Sequence, residues 1–152
     1  MNPSLDNQPK KLINILKLSE LQVGKAGEYL VCVDLILNGY VAYPSEQGLP
    51  YDIIADVNGK LLKIQVKSTR KATNTPQRTQ RIPTYRFALR RCGKGGRKKY
   101  QNNEIDLIAF VSLQNKKIGY MDIKNVPLTT KSFCEKIVSY DTKLIERWSL
   151  RG

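Results

Sequence analysis

The dipeptide Asn58-Gly59 stands between two runs of alternating polarity and dictates how the middle of the chain folds. Asn-Gly suits a two-residue turn with positive φ at both positions, whose twist matches that of a β-hairpin. Residues 51–57 and 60–67 therefore read as antiparallel strands with Val57 opposite Lys60. Counting back along this ladder sets Asp52 directly opposite Gln65. Side chains alternate between faces, so Tyr51, Ile53, Ala55, Val57, Leu62, Ile64 and Val66 form one core face. The other face collects Asp52, Gln65 and Lys67. Facing residues have Cβ atoms roughly 5 Å apart, so an acid, a carboxamide oxygen and an ammonium are expected to converge.

A chain of 152 residues is one domain, long enough to bury a sizeable core. No apolar run reaches the ~20 residues of a membrane span, and a membrane partner is not expected. Residues 12–18 are interrupted by Asn14 and Lys17 and lack a small-residue cleavage site, which argues against a signal peptide. Three widely spaced cysteines and no histidine fit neither a disulfide framework nor a zinc site. They read as reduced thiols of a cytoplasmic protein. The absence of histidine also removes Ser/His and Cys/His catalysis. The net charge of +13 is unevenly placed: residues 57–103 hold 14 Lys and Arg and no Asp or Glu. Such a stretch suits a face that tracks nucleic-acid phosphates, with binding that weakens steeply in salt.

Residues 1–9 are polar and read as a loose arm, and 12–18 as a helix start or an oligomer contact. Residues 20–38 read as a helix closed by Gly39 in the left-handed region. Its stripes, Val23-Ala26-Leu30-Val33-Leu37 and Gly24-Gly27-Glu28-Val31-Leu35, predict a largely buried helix. Glu28 then lies among small and apolar residues and calls for a metal or a cationic partner. Residues 40–43 read as a short strand, 44–50 as a turn-rich loop carrying Ser45, and 69–83 as an exposed loop. Tyr85, Phe87 and Leu89 alternate with Arg86, Ala88 and Arg90, a strand with one basic face. The glycine-rich run Arg91 to Tyr100 reads by preference as a mobile loop closing over DNA, with a solvated hairpin tip as the alternative. Residues 106–113 predict a central strand and 118–123 its neighbour. Thr129 or Thr130 can cap a last helix containing Phe133, Ile137, Leu144, Ile145 and Trp148. The order helix, strands, helix predicts an α/β domain with a mixed sheet.

Hydrolysis of a phosphodiester calls for a hard cation, and Mg²⁺ takes oxygen ligands with only one or two carboxylates. Asp52 and Gln65 can supply such oxygens, Glu28 can complete the set, and Lys67 can stabilise charge beside the attacked phosphate. Mn²⁺ is an expected substitute. Glu28, Pro50-Tyr51-Asp52 and Gln65-Val66-Lys67 together resemble the PD-(D/E)XK nucleases. The resemblance is close over residues 24–71 and holds in outline elsewhere. It implies an α/β, restriction-endonuclease-like fold, a central mixed β-sheet flanked by helices. It also implies that Glu28, Asp52, Gln65 and Lys67 are catalytic, the first three as metal ligands, with the lysine assisting the nucleophilic water. Two departures stand out: Tyr51 separates Pro50 from Asp52, and Gln65 replaces the usual acid, which lowers metal affinity.

The QXK variant in a small basic chain is most similar to the PD-(D/E)XK homing endonucleases of group I introns. That likeness implies a homo-oligomer, dimer or tetramer, cutting both strands of a specific duplex DNA site. The archaeal Holliday junction resolvases are the alternative; they share the Glu, Asp and Lys and a serine that Ser45 can match. The glutamine and the long basic stretch favour the first. On this reading residues 1–19 are an N-terminal arm with an oligomer contact, and 20–152 are one nuclease domain with a DNA-binding insert at 70–100. The DNA contacts expected are Arg70, Lys71, Arg78, Arg81, Arg86, Arg90, Arg91, Lys94, Arg97, Lys98 and Lys99. A non-catalytic nucleic-acid-binding protein with a merely solvated strand face is the distant alternative.

Overall fold

A computed structural model describes residues 15–73, 84–89 and 104–125, together with the backbone of 91–93, 96–98 and 130–134. Helix α1, Glu20–Leu37, starts on a capping box. Ser19 Oγ accepts from the Gln22 N–H at 3.2 Å, and Gln22 Oε1 accepts from the Ser19 N–H at 2.9 Å. Two of the first turn's unpaired donors are satisfied this way. The helix ends at Asn38, and Gly39 takes the left-handed φ of 88° that stops it.

Strands β1 (Val41–Pro44), β2 (Ile53–Val57), β3 (Lys60–Thr69), β7 (Leu107–Ser112) and β8 (Lys117–Asp122) form a five-stranded sheet in the order β1-β2-β3-β7-β8. β3 and β7 run parallel and the other neighbours antiparallel, so the sheet is mixed as expected. Asn58 and Gly59 have φ of 55° and 85°, the double positive turn their sequence demands. The ladder from it pairs Val57 with Lys60 and Ile53 with Ile64. β7 is buried at every position, as a central strand covered on both faces must be.

α1 covers one face of this sheet. Val23, Val31 and Leu35 pack there with Ile53, Ala55, Leu62, Ile64, Leu107, Ala109 and Val111. The opposite face is covered by β4 (Thr84–Ala88), whose Tyr85 and Phe87 join Leu89, Ile105, Ile108 and Phe110. Phe87 and Phe110 meet at a ring distance of 4.9 Å. Each face thus has its own apolar cluster, and the strands between them are fixed from both sides.

Several expectations need correcting. α1 is not largely buried: Val33 and Leu37 of the expected stripe are 51% and 81% exposed, and Tyr29 and Ile36 are exposed too. One layer of sheet lies under the helix, so only the side holding Val23, Gly27, Val31 and Leu35 meets it. Tyr51 packs with the β4 cluster, not with the face of Ile53. Arg91–Gly93 and Gly96–Lys98 (β5 and β6) pair as an antiparallel hairpin, which replaces the preferred loop reading. Thr130–Cys134 is a strand, β9, not the start of a helix, because β4 offers it an antiparallel partner. Ile137, Leu144, Ile145 and Trp148 lie outside the described residues.

Candidate active site

Asp52 sits where the hairpin ladder ends. Ile53 is the ladder partner of Ile64, yet the Asp52 N–H also reaches the Ile64 carbonyl, at 2.9 Å. Two residues therefore oppose one, the count of a β-bulge, which re-aims side chains relative to strict alternation. This is why Tyr51 changes faces, and it corrects the expectation that Asp52 lies directly opposite Gln65. The carboxylate instead crosses to the next peptide: Asp52 Oδ2 accepts from the Val66 N–H at 2.9 Å. That amide joins Gln65 to Val66, so the acid is tied to the centre of the Gln65-Val66-Lys67 tripeptide.

The loop before Asp52 is held as firmly. The Ser45 N–H donates to the Asp52 carbonyl at 2.8 Å, and Ser45 Oγ donates to the Tyr51 carbonyl at 2.5 Å. Ser45 thus fixes the peptide groups on either side of the Asp52 Cα. On the far side of β3, Asp106 has a parallel task that sequence reading missed. Its Oδ2 accepts from the Lys63 N–H and its N–H donates to the Lys63 carbonyl, both at 2.8 Å. An aspartate immediately before a strongly apolar strand was the available signal.

Glu28 reaches the site from α1 because Gly27 lets the helix close onto β3. A Cβ at Gly27 would stand 1.8 Å from Ser68 Oγ and 3.4 Å from Val66 Cγ1. Glu28 is paired with Lys25 at 2.8 Å, which supplies the cationic partner its setting required. Burial raises the pKa of Asp52 above its ordinary value, against the lowering effect of the Val66 N–H. Glu28 raises it further, while Lys67 and Lys25 pull it down. Asp52, Glu28, Lys67 and Lys25 thus share one electrostatic cluster. Gln65, next to Val66 in the chain, directs its Nε2 to the Val66 carbonyl at 3.4 Å. It shares a sheet face with Lys67, since both face residues of the β4-side cluster across the parallel ladder, Ile108 and Phe110.

The donor set fits a hard divalent cation. Burial outweighs the nearby lysines in raising the Asp52 pKa, so a divalent cation would stabilise its charged form, and a second carboxylate, Glu28, acts on the same group. Among the described residues no group of three or more His, Cys, Asp or Glu gathers, so the oxygen of Gln65 would have to complement the two acids.

Of the expected DNA contacts, Arg70 is committed elsewhere. Its guanidinium donates to Glu20 Oε1 at 2.7 Å and to the Leu18 carbonyl at 2.5 Å, tying the end of β3 to the start of α1. Lys71 is half-buried and Arg86 is exposed on β4. Of Arg91, Arg97 and Lys98 only the backbone is described, and Arg78, Arg81, Arg90, Lys94 and Lys99 lie outside the described residues. Among the described residues no helix is long and apolar enough to cross a membrane.

The family of PD-(D/E)XK endonucleases matches residues 18–142, and the chain belongs to it. Among solved structures, the bacterial homing endonuclease I-Ssp6803I is similar over 77% of this chain and 76% of its own, at 20% identity and a TM-score of 0.59. The Holliday junction resolvase Hjc of the archaeal hyperthermophile Archaeoglobus fulgidus is similar over 76% of this chain and 86% of its own, at 13% identity and a TM-score of 0.45. No curated protein sequence matches. The sheet and helix described above have the fold of this family.

Proposed function

We propose that this chain is a Mg²⁺-dependent endonuclease that cuts both strands of a specific duplex DNA site, as an intron homing enzyme does. The observation that carries this reading is the Asp52 carboxylate, anchored on the Gln65-Val66 peptide and within electrostatic reach of Glu28 and Lys67. Asp52, Gln65 and Glu28 would hold the metal, with Mn²⁺ able to replace Mg²⁺. A bound divalent cation supplies Lewis-acid polarisation of a phosphoryl oxygen. Lys67 places its ammonium where negative charge grows on the attacked phosphate. Ser45 and the Val66 N–H keep Asp52 from turning away.

The acid-free basic stretch carries the DNA, with Lys71, Arg86 and the residues of the β5–β6 hairpin as its phosphate contacts. Residues 20–152 form one nuclease domain with an insert at 70–100, and residues 1–19 are an arm available to a homo-oligomer contact. The preference for homing over junction resolution rests on Gln65 and on the length of the basic stretch. Resolution of four-way junctions is the second reading, supported by Ser45 in the loop before Asp52.

The test is a supercoiled plasmid library and a synthetic four-way junction, each incubated with protein and either Mg²⁺ or chelator. Metal-dependent linearisation at one sequence supports homing; symmetrical cuts confined to the junction support the second reading. A gel shift without cleavage under any metal would overturn both. Lys67→Ala is expected to lower cleavage by about 10²–10³ while leaving DNA affinity within a few-fold.

A further inference from the structure

Lys25 lies one turn ahead of Glu28 on α1, its Nζ 2.8 Å from Glu28 Oε2. The partners differ in setting: the lysine side chain is 50% exposed and the glutamate 18%. The ammonium also acts on Asp52 across the gap between helix and sheet. The lysine is thus paired directly with Glu28 and adds a weaker, longer-range attraction at Asp52. Helix stability gains little from this arrangement, since a lysine preceding its glutamate is the less favourable order for such a pair. An exposed single-charge partner is easily displaced by an ion of double charge.

We propose that Lys25 is a positioning residue, a built-in counter-cation that holds Glu28 in the metal-free chain and must release it when a divalent ion binds. Its ammonium then sets the metal concentration at which the site fills. This rests on the reading of Glu28 as a metal carboxylate. Lys25 keeps the glutamate extended toward Asp52 and shields the pair from mutual repulsion. In exchange it raises the metal threshold, so the chain idles at low Mg²⁺.

The experiment is calorimetric titration of Mg²⁺ and Mn²⁺ into the full chain without DNA. The variants are Lys25→Met, Lys25→Arg, Glu28→Gln and the Lys25→Met/Glu28→Gln pair, each checked for folding by its melting curve. Lys25→Met should tighten metal binding by roughly three- to tenfold, a size usual for coupled neighbours. Lys25→Arg should stay near wild type, and Glu28→Gln should weaken binding. In the Glu28→Gln background the gain from Lys25→Met should fall to less than half. Unchanged or weaker binding in Lys25→Met overturns the proposal. So does an undiminished gain in the Glu28→Gln background, which would mark a general field effect. If Glu28→Gln leaves metal affinity untouched, the assignment of Glu28 fails first and the proposal with it.

Discussion

The Asp52 carboxylate accepts one backbone N–H, while burial penalises its charge. The folded chain therefore holds the Asp52 proton more tightly than the unfolded chain does. Its contribution to stability is favourable at low pH and is lost as pH rises from the ordinary carboxylate range through the raised value. Asp52→Asn keeps an oxygen for the Val66 N–H and removes the charge. We expect the metal-free variant to melt a few degrees above wild type at neutral pH, with the difference vanishing in acid, while cleavage is lost. Thermal melts across pH in chelator check this, and a variant that melts lower at neutral pH would contradict it. Arg70 gives a contrasting prediction. Arg70→Ala should destabilise the fold by about 1 kcal/mol by releasing Leu18 and Glu20, yet leave the salt dependence of DNA binding unchanged. The residue types of the site were legible from Asn58-Gly59 and its flanking alternation. The bulge at Asp52 was not, because a ladder's last pair depends on what the loop before it bonds to, here Ser45.

At the scale of the elements, α1 meets β3 in close approach at Gly27. Gly27→Ala would gain helix propensity but drive a methyl into Ser68, so a net loss of about 1–3 kcal/mol is expected. Among the described residues the buried Ser68 Oγ has no hydrogen-bond partner, so Ser68→Gly in the same chain should recover part of that loss. Denaturant melts of the single and double variants measure this; equal stability of Gly27→Ala and wild type would show that the helix can slide. The helix ends, the hairpin turn and the buried strand β7 could be read locally, since caps, turns and apolar runs are local signals. β9 could not. Thr130–Cys134 pairs with β4, far away in sequence, and a tertiary partner outweighs a weak local preference. The same limit hid the exposed side of α1, whose apolar stripes carry no mark of which one the sheet will cover.

For the molecule as a whole, the charge is divided between the acid-poor middle of the chain and the rest. Replacing Arg91, Arg97, Lys98 and Lys99 with alanine should weaken DNA binding and flatten its salt dependence by about 0.9 in slope for each phosphate that is no longer neutralised. Filter binding over a salt series reads that slope, and an unchanged value would remove the β5–β6 hairpin from the DNA interface. The mixed sheet with a helix against it followed from the first helix and the strands after it, whereas the sandwiching of the sheet between α1 and β4 needed the three-dimensional contacts. The parallel pairing of β3 with β7 has a kinetic corollary. Lys67 stands on a strand whose parallel neighbour, β7, is made only after the whole crossover has been synthesised, and closing so long a loop is slow. An early nascent chain can form the hairpin that holds the acid, but not the rigid bed beneath the lysine. The sheet face that holds Lys67 should thus become rigid late in folding, once β7 has docked beside β3.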